Sequence, residues 1–190
     1  MRFILASASP RRADLLRAAG FDFDVVPAGV DERQHPNESP ELYVRRLAAD
    51  KTAAVATRMD GAGGCLLLGA DTAVVVDGEV LGKPAGDAEA AAMLGRLAGR
   101  RHAVLTGVSL RSGGAEVGQV ETTEVWFSPM TPTDISDYVA SGEGRDKAGG
   151  YAIQGRASRF IPRIQGSYTN VVGLPIATVE ALVRTLASGG

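Results

Sequence analysis

Phe3-Ile4-Leu5-Ala6-Ser7-Ala8-Ser9-Pro10-Arg11-Arg12-Ala13-Asp14-Leu15-Leu16-Arg17-Ala18-Ala19-Gly20 decides how the chain is read. The apolar run Phe3 to Ala6 predicts a buried strand, and Ser7-Ala8-Ser9 predicts a small-residue turn into a helix. Ser9 suits the N-cap, and Pro10 suits the first helical position, where its missing N–H costs nothing. Gly20 suits the residue just past the helix end. Arg11 and Arg12 then fall in the first turn, where the helix dipole favours anions. Arg12 also shares the apolar face, at helical spacing with Leu15, Leu16 and Ala19. Guanidinium groups, serine hydroxyls and free backbone N–H groups at one helix start make an anion site, with phosphate the obvious anion. The competing reading has Arg12 snorkelling along the core edge and Arg11 solvated.

The chain has 190 residues, 45% of them hydrophobic and 22% charged, which fits one globular domain or two small lobes around one core. A net charge of −2 argues against a broad nucleic-acid footprint, though not against a local cationic pocket. The single cysteine, Cys65, excludes an internal disulfide and a cysteine-rich zinc site, and its apolar surroundings suit a small core residue. The N-terminal apolar run is too short for a signal peptide, and no stretch suits a membrane span. A cytoplasmic location is therefore expected.

Further along, Phe21 to Val26 alternates like a half-buried strand, and Pro27 to Asn37 reads as a polar loop. Ser39-Pro40-Glu41 opens a helix to about Arg58, with Lys51 inside its stripe of Val44, Leu47, Ala48 and Val55. A lysine there either snorkels or points at a buried anion. Met59 to Gly64 reads as a glycine-rich connection. Cys65-Leu66-Leu67-Leu68 reads as a strand buried on both faces; Gly69-Ala70-Asp71-Thr72 interrupts it, and Ala73 to Val76 resumes it. Asp71 is the sharpest anomaly, because a buried carboxylate is costly unless paired, hydrogen-bonded or metal-bound. It is either a structural acceptor of backbone hydrogen bonds or a functional acid, and Gly69 and Ala70 suggest open space beside it.

Asp77-Gly78 signals a hairpin turn into Glu79-Val80-Leu81. Asp87 is expected to cap a helix over 88–97, and His102 to Leu110 pairs with Glu116 to Phe127 as a long hairpin. Thr131 and Asp134 fit a capping box. The stretch Arg145 to Gly155 is too glycine-rich for a regular helix and suits a loop over a ligand or a solvated surface loop. Phe160 to Ile164 reads as an edge strand on account of Pro162, and Leu174-Pro175 begins a last helix that frays at Ser188-Gly189-Gly190. Interleaved helices and strands with two hairpins give an α/β class with a mixed sheet. His35 and His102 show no sequence partners and read as structural or surface residues.

The anomalies are cations, Arg11, Arg12, Lys51, Lys83 and Lys147, and acids, Glu32, Asp71 and Asp146. No P-loop, dinucleotide fingerprint or H-E-x-x-H motif is present. A cationic cradle with nearby acids suits attack of water on a phosphate.

Leu5-Ala6-Ser7-Ala8-Ser9-Pro10-Arg11-Arg12 resembles the opening signature of the Maf family of nucleoside triphosphate pyrophosphatases. Gly69-Ala70-Asp71-Thr72 and Gly82-Lys83-Pro84 resemble its second and third motifs. Asp146-Lys147-Ala148-Gly149, Ile153-Gln154-Gly155 and Asn170 to Pro175 resemble its C-terminal set. The resemblance covers the whole chain in order. It implies one Maf-like domain over residues 1–190, with the Maf/inosine-triphosphatase-like α/β fold: an elongated mixed sheet, flanking helices and two lobes around a central cleft. It implies hydrolysis of a nucleoside triphosphate to monophosphate and pyrophosphate with a divalent metal cation, Mg²⁺ or Mn²⁺. By the same resemblance Asp71 is the general base, with Lys51 and Lys83 also catalytic. Ser7, Arg12, Lys51, Lys83 and Lys147 bind the triphosphate, and Glu32 joins Asp71 at the metal. Arg11, Thr72 and Gln154 match the branch that prefers dTTP and UTP; the 7-methyl-GTP branch carries tryptophan, glutamine and glutamate there. The implied partners are the nucleotide and a second copy of the chain in a homodimer, with neither nucleic acid nor membrane. The family's link to septum formation leaves an alternative, a nucleotide-binding regulator of cell division acting through a protein partner.

Overall fold

A computed structural model describes residues 2–59 and 64–188. Residues 60–63 of the glycine-rich connection expected from Met59 to Gly64, and Gly189 and Gly190 of the expected frayed end, lie outside the described residues. In chain order the elements are β1 (Arg2–Leu5), α1 (Pro10–Ala18), β2 (Asp24–Val25), α2 (Pro40–Arg58), β3 (Cys65–Val76), β4 (Glu79–Leu81) and α3 (Asp87–Leu97). They continue with β5 (Arg101–Ser112), β6 (Ala115–Trp126), α4 (Pro132–Ala140), β7 (Arg163–Gln165), α5 (Tyr168–Val172) and α6 (Ile176–Ser188). The strands form a mixed seven-stranded sheet in the order β2-β1-β3-β5-β6-β7, with β4 paired to β3. The chain divides into two compact units. The first gathers the described residues of Met1–Thr72, Thr106–Glu121 and Gly173–Gly190; the second gathers Ala73–Leu105 and Thr122–Val172.

In the first unit β1 runs parallel to β2 and to β3, with Leu5 opposite Val25 and Leu68. Side chains alternate across the sheet. Phe3, Leu5, Leu66, Leu68, Val108 and Leu110 pack with Ala13 and Leu16 of α1 and Val179 and Leu182 of α6. Ile4, Ala6, Cys65 and Leu67 face the other way and pack with Val55 of α2. Burial on both faces explains why these strands read as continuous apolar runs. Each fully buried leucine contributes roughly 1.5–3 kcal/mol of transfer free energy.

Strand β3 is unbroken through Gly69-Ala70-Asp71-Thr72, so the expected interruption does not occur. Gly69 is there for proximity. A Cβ at Gly69 would run into Ala48 O of α2, and one at Gly107 of β5 would run into Val44 O. Val44 and Ala48 are one helical turn apart. Helix α2 therefore settles with its backbone against two glycine notches, and the space expected beside Asp71 is filled by that helix.

In the second unit β3 turns antiparallel into β4 through Asp77 (φ 54°) and Gly78 (φ 79°), a left-handed pair that suits a type I′ hairpin. Val74, Val76, Leu81, Met93, Leu94, Leu97, Val125, Phe127 and Tyr138 share one core. Helix α4 carries the reciprocal Thr131–Asp134 capping box. Asp87 is the first helical residue of α3 and Gly86 is its N-cap, one position earlier than expected. The strand expected over 21–26 is reduced to Asp24–Val25. The edge strand expected at 160–164 forms at Arg163–Gln165, after a 3₁₀ turn over Arg156–Phe160. Pro162 accounts for the shift, since it cannot donate to β6 and pairing starts after it. Helix α5 is a short helix that leads into Gly173. His102 is not partnerless: it is 3% exposed, its Nε2 lies 2.8 Å from Tyr151 OH, and its ring stacks on Phe127.

Candidate active site

Sheet parity places the first unit's polar residues. Odd positions of β3 face α2, so Asp71 meets Lys51 of that helix. Lys51 Nζ donates to Asp71 Oδ1 at 2.6 Å and forms an ion pair with Glu32 Oε1 at 2.8 Å. Lys51 is 6% exposed and Asp71 is 8% exposed. Breaking a buried pair of this kind leaves an uncompensated charge, so each partner requires the other.

Glu32 belongs to the polar loop before α2, and α2 holds that loop in place. Tyr43 OH donates to Glu32 O at 2.9 Å. Arg46 donates to both oxygens of Glu38 at 2.6 and 2.8 Å and to Arg33 O at 3.1 Å. Burial, together with the charges of Asp71 and Glu32, pushes the Tyr43 phenol up to about 12. Ser39 caps α2 by accepting from Leu42 N.

Even positions of β3 face α1 and α6, so Thr72 meets Arg12 of α1. Arg12 is buried, not snorkelling. Its Nε donates to Gly173 O at 2.8 Å, its Nη1 to Ser7 Oγ at 3.2 Å and its Nη2 to Thr72 Oγ1 at 3.1 Å. Ser7 Oγ also accepts from Ser9 N, so the turn before α1 is tied to the arginine it presents. Desolvation lowers the Arg12 pKa, and the charges of Asp71 and Glu32 oppose that shift. The guanidinium remains a cation, because arginine stays charged in proteins. The phosphate cradle and the acids anticipated from sequence thus act on one another electrostatically. Arg11 stands half-buried on the same first turn.

The acids fit a hard divalent cation. Glu32 and Asp71 already direct one oxygen each at the single cation of Lys51. No cluster of three or more histidine, cysteine or acidic residues able to hold a metal occurs among the described residues. Two carboxylates, completed by water and phosphate oxygens, are the donor set that Mg²⁺ favours.

The second unit holds the other expected residues. The Gly82-Lys83-Pro84 and Lys147-Ala148-Gly149 stretches are joined by the backbone bond from Gly149 N to Gly82 O at 3.0 Å. Lys83 is exposed. Lys147 Nζ donates to Asp146 Oδ1 at 2.6 Å and to Glu143 O at 2.7 Å, so its ammonium is committed to its own loop. Gln154 is exposed and lines a groove of about 470 Å³ with Ile161, Arg163 and Tyr168. Its loop is held on both sides. Tyr138 OH accepts from Ala152 N at 3.0 Å, and the Glu143 carboxylate accepts from Arg156 N at 2.9 and 3.1 Å.

Thr106 and Glu143 escaped the sequence reading, and Gly173 entered it only within the Asn170 to Pro175 motif. Only Thr106 carried a local signal, a hydroxyl at the parity of the apolar Val104 and Val108. No described helix is long and apolar enough to cross a membrane.

Comparison with known proteins gives a consistent result. The Maf-like protein family matches residues 2–186. A protein of Symbiobacterium thermophilum named dTTP/UTP pyrophosphatase is 53% identical over 184 residues, 96% of this chain and 93% of the relative. Proteins of the same name from Koribacter versatilis and Syntrophus aciditrophicus are 48% and 47% identical, over 97% and 98% of this chain and 94% and 91% of theirs.

Proposed function

The chain belongs to the Maf-like protein family, and from that membership and its buried charges we propose that it hydrolyses dTTP and UTP to the monophosphate and pyrophosphate. The observation that carries this reading is the buried Lys51–Asp71 pair, with Glu32 on the same ammonium. A carboxylate beside bound phosphate repels it unless a cation stands between them, so a protein that only held nucleotide has little reason to place Asp71 there. A hydrolase gains a base.

Ser7, Arg12 and Lys51 hold the triphosphate, and Lys83 and Lys147 contribute further cations. Asp71 accepts a proton from a water. The water oxygen bonds to the α-phosphorus, the bond to the α,β-bridging oxygen breaks, and pyrophosphate leaves. Arg12 and Lys51 stabilise the charge that accumulates on the phosphoryl oxygens, and because both are fixed beforehand they need little reorganisation. Glu32 and Asp71 would hold a divalent cation, Mg²⁺ or Mn²⁺, which when bound would supply charge neutralisation to the triphosphate. Arg11, Thr72 and Gln154 bias the site toward thymine and uracil; the glutamine amide offers a donor and an acceptor to a pyrimidine edge.

The test is pyrophosphate release from dTTP, UTP, CTP, GTP and 7-methyl-GTP, with Mg²⁺, with Mn²⁺ and with chelator. Metal-dependent turnover led by dTTP and UTP is expected. Nucleotide binding without turnover would overturn the assignment in favour of a regulator.

A further inference from the structure

The glycine-rich stretch that carries Lys147 and Gln154 is fastened to the second unit's core through Tyr151. Gly149 (φ 69°) and Gly150 (φ 72°) are both left-handed, a turn that residues with side chains rarely make, and the chain leaves it extended, with Tyr151 at φ −143° and ψ 160°. Tyr151 thereby enters the core, where it is 5% exposed. Its ring meets Phe127 edge-on at 5.0 Å and His102 edge-on at 5.4 Å, and His102 in turn stacks on Phe127. Tyr151 OH lies 2.8 Å from Nε2 of His102 on β5. Ala152 and Ile153 are also buried, and Gln154 is the first exposed residue after them.

We propose that His102 and Tyr151 are positioning residues: their hydrogen bond sets the course of residues 151–154 and so aims the Gln154 amide at the base. The cost of burying this pair supports an orienting role. His102 Nδ1 is buried with no hydrogen-bond partner among the described residues. Two apolar side chains of the same shape would fill the volume without burying that nitrogen, so packing alone gives no reason for the pair. A directional bond does. It fixes the phenol end at one point on β5, and a bonded polar pair specifies one arrangement of a core where ring packing would tolerate several. Tyr138 OH, bonded to Ala152 N, and the Glu143 carboxylate, bonded to Arg156 N, complete the frame on either side of Gln154. The backbone beneath the amide is therefore set before substrate arrives, which removes an ordering cost from reading the base.

This inference rests on the base-reading role given to Gln154 above. Tyr151→Phe removes the hydroxyl and keeps the ring. It should lower the ratio of dTTP to GTP kcat/KM by about three- to tenfold, the scale of one neutral hydrogen bond. His102→Leu should lower it likewise. His102→Gln, which keeps an amide to bond the phenol, should hold the ratio close to the parent's. Unfolded enzyme turns over neither nucleotide, so a purely structural defect cancels in this ratio. In a Gln154→Ala background, Tyr151→Phe should change the ratio no further. A ratio unmoved by Tyr151→Phe, while Gln154→Ala lowers it, would overturn the proposal and leave the base-reading role standing. A loss of equal size with and without Gln154 would also overturn it. A ratio unmoved by Gln154→Ala would instead remove the base-reading role itself, and the proposal with it.

Discussion

The two units bury polar groups in opposite ways. The first places charges inside: Arg12, Lys51 and Asp71 are all buried, on α1, α2 and β3. The second buries neutral groups, His102 against Tyr151 and Asn170 against Thr123, and leaves Lys83 and Asp146 at the surface. A neutral buried pair costs little once its hydrogen bonds are made, whereas a buried ion pair is often less stable than an apolar substitute of the same shape. Charge retained inside the first unit therefore points to a chemical role. On the second unit's loops Lys83 is exposed, whereas Lys147 is held by Asp146 and Glu143 O.

The sharpest way to break this contrast is Asp71→Asn. As the base, Asp71 should support turnover by about 10² to 10⁴. Pyrophosphate release should fall by that factor while circular dichroism stays native. Near-normal turnover would reduce Asp71 to a structural ion. Lys51→Met should come next, leaving the Asp71 carboxylate buried without its ammonium. The expected cost is about 3–5 kcal/mol in urea unfolding, together with loss of activity.

The second unit's buried histidine sharpens the contrast through pH. Burial lowers the His102 pKa to about 4 from the ordinary 6.5. The unfolded chain therefore takes up a proton that the folded chain resists. The stabilisation is complete above pH 6.5 and is lost as pH falls from 6.5 toward 4, up to about 3 kcal/mol. Urea midpoints at neutral pH and near pH 4.5 would show this slope, and His102→Gln should flatten it. The smallest effects belong to Lys83→Ala and Lys147→Ala. Stability should stay within about 0.5 kcal/mol of the parent, and the change should appear as a raised KM for nucleotide. A large loss of stability in either variant would erase the difference between the units.

Several parts of this arrangement were legible locally. Ser9-Pro10 and Ser39-Pro40 announced α1 and α2, and the run from Cys65 to Leu68 announced a strand covered on both faces. Arg12, Lys51 and Asp71 stood out because each broke an apolar pattern. Other parts were not legible. Gly69 looked like a break because glycine weakens strands, but it serves the approach of α2, an element distant in the chain. The surroundings of Thr72 were not legible either, because they are assembled from distant parts of the chain. Its partners come from residues 12, 106 and 173.

By itself the sequence determined the α/β class, the helix starts and the identity of the misplaced charges, because capping, periodicity and the cost of burying charge act over a few neighbouring residues. The tertiary structure decided which charges meet. Lys51 faces Asp71 and Arg12 faces Thr72 because strand parity sends adjacent residues of β3 to opposite sides of one sheet. Which helix covers each side is a long-range outcome of packing that no local pattern encodes.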